Sequence, residues 1–174
     1  MKTITLQNKK ESLIANANDV FTYIDSDFKK WHTNEVTEPK NGNTFEVHNL
    51  EKDSMFAQIF TDPENMWVSQ GQIIEFCKNH EDELSKNRFT LFLFKVKSKF
   101  FVVHVLVNPD GLSVGVDEFS DTYVWYAEYG NRFVLPQLTF RNSESETLNH
   151  SDSLALESAI KICKEAGLVV TKIY

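Results

Sequence analysis

The sequence predicts an α+β fold, and three observations carry the prediction. Residues 88–96 and 100–108 are β-branched and aromatic almost throughout, with only the polar spacer Lys97-Ser98-Lys99 between them. Asn108-Pro109-Asp110-Gly111 has the chemistry of a type I turn closed by glycine, which sends the chain back into a third strand over 112–119. Apolar residues elsewhere recur at helical spacing in three separate stretches. The expected architecture is an antiparallel β-meander at about 88–119, extended by 123–135, packed with helices near 18–31, 69–80 and 153–166.

Taken in order, residues 2–7 alternate weakly as a short strand. Asn18 is a candidate N-cap, and behind it Val20, Phe21, Ile24, Phe28 and Trp31 share one helical stripe. The polar stretch 32–43, with Pro39 and Asn41-Gly42-Asn43 as breakers, reads as a mobile loop. Phe45-Glu46-Val47 alternates as a strand, and Ser54 heads a helical turn carrying Met55, Phe56, Ile59 and Phe60. The clearest helix start is Ser69, with Gln72 completing a capping box and Val68 placed to staple onto Ile73. Both faces of the central meander strand are apolar, so protein should cover both sides. The aromatic run 123–129 reads as a fourth strand, turned by Gly130-Asn131 into Arg132-Phe133-Val134-Leu135 and stopped by Pro136. A polar linker over 141–151 leads to the last helix, which Gly167 ends, and to a terminal strand over 168–173.

Composition fits one domain over 1–174: hydrophobic residues make up 41% and charged residues 25%. Fourteen Phe require a substantial aromatic core. Two cysteines, Cys77 and Cys163, each within an apolar helical pattern, suit a reducing, cytoplasmic setting better than a secreted disulfide framework. No stretch approaches the ~20 apolar residues that span a bilayer, so no membrane association is expected. A net charge of −7 argues against nucleic acid, whose phosphates attract a basic face. The one basic run, Lys86, Arg88, Lys95, Lys97 and Lys99, reads as the solvated edge of a hairpin.

Two places carry possible chemistry. If Asn108 faces Gly111, then Val103, Val105 and Val107 oppose Val116, Val114 and Leu112, and His104 opposes Gly115 on the other face. Ser113 and Asp117 are then diagonal neighbours of His104 at ~7–8 Å between backbones. Serine, histidine and aspartate share a face, but Ser113 follows a hairpin turn and has no nucleophile elbow or helix N-terminus. Gly115 makes room for the imidazole. The five histidines show no metal-ligand spacing, and with six glycines there is no phosphate-binding loop, so neither metal nor cofactor is expected.

The second place is the aromatic run itself. Trp125, Tyr126, Tyr129 and Arg132 are residue types that dominate interaction hot spots, and Asp121 and Glu128 border them. Arg132 is placed to stack on Tyr126 or Tyr129. Tyr123, Trp125, Ala127 and Tyr129 are assigned to the core, with Val124, Tyr126 and Glu128 outward; the reversed parity, which the sequence alone does not decide, exposes Trp125 instead. An acidic rim around aromatics fits a basic partner. The function expected is therefore that of a small non-enzymatic interaction protein that binds a protein partner. The alternative is an enzyme or small-molecule binder using the sheet face around His104, Ser113 and Asp117.

Overall fold

A computed structural model of the protein describes residues 2–6, 12–31, 33, 43–86 and 88–137. All of them belong to one unit, Met1–Thr139. The expected linker 141–151, helix 153–166, strand 168–173, Cys163 and all of the loop 32–43 except Thr33 and Asn43 lie outside the described residues. In chain order the elements are β1 (Lys2–Thr5), β2 (Phe21–Ile24), α1 (Asp27–Lys30), β3 (Thr44–Asn49), α2 (Phe56–Ile59), α3 (Pro63–Met66), α4 (Gln70–Asn79), β4 (Phe89–Val96), β5 (Lys99–Asn108), β6 (Gly111–Glu118) and β7 (Arg132–Pro136).

The meander forms as its turn chemistry dictates. Val96 pairs with Lys99, so the first loop is only Lys97-Ser98, and Lys97 takes the left-handed conformation there at φ 55°. Asn108 pairs with Gly111, whose φ of 126° favours glycine. The resulting register places Val103 opposite Val116, His104 opposite Gly115 and Val105 opposite Val114.

The sheet around the meander is mixed rather than antiparallel. Its order is β1-β3-β7-β4-β5-β6-β2, with β4–β7 and β2–β6 parallel. Two apolar clusters lie on its two sides. Phe92, Phe94, Val103, Val105, Val114 and Val116 face Ile73, Phe76 and Cys77 of α4. Leu91, Leu93 and Val102 face Phe56, Phe60, Trp67 and Trp125. Helix α4 begins as expected: Ser69 Oγ accepts from the Gln72 N–H at 3.2 Å, and Gln72 Oε1 accepts from the Ser69 N–H at 2.9 Å. Burying its Ile73 and Phe76 contributes about 2 kcal/mol each.

Three expectations need correction. The stretch 18–31 is not one helix: Asn18–Val20 turn, β2 follows, and only Asp27–Lys30 is helical. A register shift between Phe21 and Tyr23 turns Phe21 and Ile24 to the same core although they are three residues apart. In a regular strand they would point to opposite faces, so the bulge reproduces the spacing of a helix. The stretch 123–135 does not extend the meander, because β2 already occupies the free edge of β6. Its second half, β7, inserts between β3 and β4 instead. Ser54 does not cap α2; it bridges to Trp125 through N–H···O bonds of 3.0 and 2.9 Å, and Gln58 Oε1 accepts the Met55 N–H at 2.9 Å.

Candidate functional site

The sheet face that carries His104 is covered by the segment carrying Trp125, so the two places singled out in the sequence are one place. On β5 and β6 the even–odd alternation sends His104, Gly115 and Asp117 to the side opposite α4. Helix α4 therefore does not seal the His104 face. Trp125, only 7% exposed, lies over it instead, with its ring 6.0 Å from the imidazole and 5.5 Å from both Phe56 and Phe89. Phe89 meets His104 edge-on at 5.2 Å. The imidazole fits because position 115 is glycine: a Cβ there would lie 2.1 Å from His104 Cε1.

His104 Nε2 stands 3.4 Å from Asp117 Oδ2. Burial holds the imidazole below its ordinary range, against the opposing pull of Asp117 and Asp25. It is thus neutral near pH 7. Burial also pushes the Asp117 carboxyl above the usual carboxylate range; His104 opposes that rise, while Asp121, Asp25 and Asp27 add to it. Carboxylates from three segments thus converge on Asp117 beside His104. Lys30 Nζ reaches Asp27 at 3.4 Å and offsets part of this charge.

Ser113 shares the face but is not joined to the histidine: its Oγ accepts from Asn108 Nδ2 at 2.6 Å. The arrangement is a histidine–aspartate pair without an attached nucleophile, and it can move a proton only for a group brought to it. Among the described residues no group of three or more His, Cys, Asp or Glu is placed to hold a metal ion. No helix among them is long and apolar enough to cross a membrane.

The aromatic segment is pinned rather than paired as a strand. Besides the Ser54 bridge, Asp53 Oδ1 accepts the Ala127 N–H at 2.9 Å, and Ser85 Oγ donates to the Gly130 carbonyl at 2.7 Å. Buried Asn131 donates to the Tyr126 carbonyl at 3.0 Å and accepts the Phe89 N–H at 3.2 Å. Residues 121–124 are irregular and Ala127–Tyr129 form a 3-10 turn, so no strand alternation runs through the segment, and Tyr123 and Tyr129, assigned to the core, are exposed along with Val124 and Tyr126. Tyr123 is 58% exposed, packs edge-on against Trp125 at 5.6 Å, and has its N–H held by Asp121 Oδ1 at 3.0 Å. Glu128 is exposed in the same turn.

Arg132 does not stack on a tyrosine. It donates to the Glu83 carbonyl at 2.8 Å and to Asn49 Oδ1 at 3.3 Å, because its strand lies inside the sheet. Arg88 takes the place over Tyr129 instead, 4.6 Å from the ring centre. Asp25, Asp27 and Phe89 belong to this neighbourhood and escaped the sequence reading. Asp25 is set beside β6 by its N–H to the Val114 carbonyl, 2.9 Å, a placement that a helix over 18–31 hides.

Comparison with protein-family models, with curated proteins and with solved structures found no match.

Proposed function

We propose that the protein is a non-enzymatic binding module that receives a basic segment of a protein partner. The contact surface is the acidic–aromatic one formed by Tyr123, Asp121, Asp117 and Asp25, continued along the same segment to exposed Tyr126 and Tyr129. The observation that carries this reading is the acidic cluster around Asp117, in which Lys30 pairs with Asp27. Asp121, Asp25 and Asp27 all raise the Asp117 carboxyl, next to His104, and Asp121 holds the N–H of a tyrosine with more than half its surface in water. A lysine or arginine side chain placed there gains both carboxylate contact and an aromatic face. The backbone bonds that pin 123–131 support the same reading, since a surface already ordered loses little freedom on binding. A cytoplasmic setting is part of the proposal.

The test is titration of the protein with a lysine- and arginine-rich peptide and with its glutamate-substituted counterpart, read by calorimetry. The basic peptide should bind, with affinity falling as salt rises. Tyr123→Ala and Asp121→Asn should each weaken it by about tenfold. Equal binding of both peptides, or full affinity in both variants, refutes the proposal.

A further inference from the structure

Arg88, just ahead of β4, is exposed, and its Cζ stands over the Tyr129 ring, 4.6 Å from the centre. Tyr129 in turn meets Tyr126 edge-on at 5.7 Å, and the two tyrosines are 43% and 41% exposed. Buried polar side chains hold this trio in place. Ser85 Oγ accepts the Arg88 N–H at 3.2 Å and donates to the Gly130 carbonyl at 2.7 Å, so one buried hydroxyl joins the chain at Arg88 to the chain next to Tyr129. The Ser85 N–H is itself fixed by Thr90 Oγ1 at 2.8 Å. Asn131 ties the Tyr126 carbonyl to the Phe89 N–H, which anchors the second ring to the residue after Arg88. The three side chains are therefore ordered before anything binds.

Contact with the tyrosine engages the guanidinium without using its N–H groups. Among the described residues no acceptor or carboxylate meets them, whereas Lys2, Lys30, Lys78 and Lys95 each have an acidic partner. Glu128 lies in the same turn as Tyr129, yet no ion pair joins it to Arg88. A guanidinium presents parallel N–H groups that match the two oxygens of a carboxylate. The exposed tyrosine rings beside it suit an aromatic or apolar neighbour of that carboxylate. Arginine and tyrosine are also the residue types that concentrate binding energy at protein interfaces. A single guanidinium balances a single carboxylate, and a net charge of −7 repels a polyphosphate chain, so charge selects an acidic peptide over a nucleic acid.

We infer that Arg88, Tyr129 and Tyr126 form a docking point for a carboxylate-bearing peptide segment of a protein partner. The inference does not depend on the basic-segment reading, and its probes carry no basic residue. The test is an NMR titration of the ¹⁵N-labelled full chain at millimolar peptide concentration. The probes are a Phe-Glu-Phe peptide blocked at both ends, its blocked Phe-Gln-Phe counterpart, and Phe-Gln-Phe with a free C-terminal carboxylate. Saturable shifts of the Arg88 Nε–H and of the backbone amides over 126–130 are expected with the glutamate peptide, and binding about tenfold weaker with the blocked glutamine peptide. Recovery of affinity with the free carboxylate assigns a chain terminus as well as a side chain, and no recovery assigns the side chain alone. Arg88→Gln should erase the preference for glutamate over glutamine while the remaining spectrum stays folded, because Arg88 is exposed. Arg88→Lys, which keeps the charge and loses the paired N–H groups, should recover only part of it. No saturable shift with either carboxylate peptide, an undiminished preference in Arg88→Gln, or tighter binding of a short single-stranded oligonucleotide at the same residues overturns the inference.

Discussion

Gly115 and His104 form the tightest side-chain dependence near the candidate site, because any Cβ at 115 would overlap the imidazole. Gly115→Ala is expected to cost about 2 kcal/mol of stability, read from denaturant unfolding. Combining it with His104→Ala should recover much of that loss, since the clash needs both side chains. His104 also sets a pH dependence. Its folded value lies below the ordinary 6.5, so the unfolded chain takes up the proton first, and stability should fall as pH drops below about 6.5. Asp117 has the opposite sign: its raised value makes the folded state the better proton acceptor above the ordinary 3.8, which returns some stability at lower pH. His104→Gln should remove the first slope and leave the second. Urea midpoints measured from pH 7 to pH 4 in both proteins check this.

Adjacent aromatics of one segment behave differently because one is docked and the other is not. Trp125→Ala should cost about 3 kcal/mol or more, whereas Tyr126→Ala should stay within about 0.5 kcal/mol, both by thermal or denaturant unfolding. The Trp125 indole N–H is buried with no acceptor among the described residues, so Trp125→Phe should cost much less than the alanine change. Ser69→Ala should cost about 1 kcal/mol through the lost cap of α4. The meander, α4 and the His104–Gly115 pairing were legible in the sequence, because local turn and cap chemistry determines them. The stretch 18–31 was not, since one bulge gives a strand the apolar spacing of a helix. The place of 123–135 was not either, since it depends on which strand takes the β6 edge, a long-range competition with no local signature. Asn131 illustrates the same limit: an Asn after Gly reads as a turn, and only the fold reveals the buried amide that ties Tyr126 to Phe89.

At the scale of the whole molecule, a net charge of −7 is distributed unevenly in function even where it is even in sequence. Lys95 is paired with Glu64 at 2.6 Å and Lys78 with Asp19 at 2.9 Å, and Arg88 lies on Tyr129, so cations of the basic run and of α4 are engaged within the fold. The aspartates around His104 have Lys30 within reach of Asp27, and exposed Tyr123 stands next to Asp121. Recognition is therefore assigned to that surface, and the buried aromatics to the core. A photo-crosslinking amino acid placed at position 123 in cells tests this most directly, with position 78 on α4, which packs on the opposite side of the sheet, as the control. The account predicts a discrete protein adduct from position 123, cross-linked through a lysine- or arginine-rich segment, and its loss when Asp121→Asn is added. Adducts of equal yield from both positions, or an adduct at 123 that survives Asp121→Asn undiminished, would contradict it.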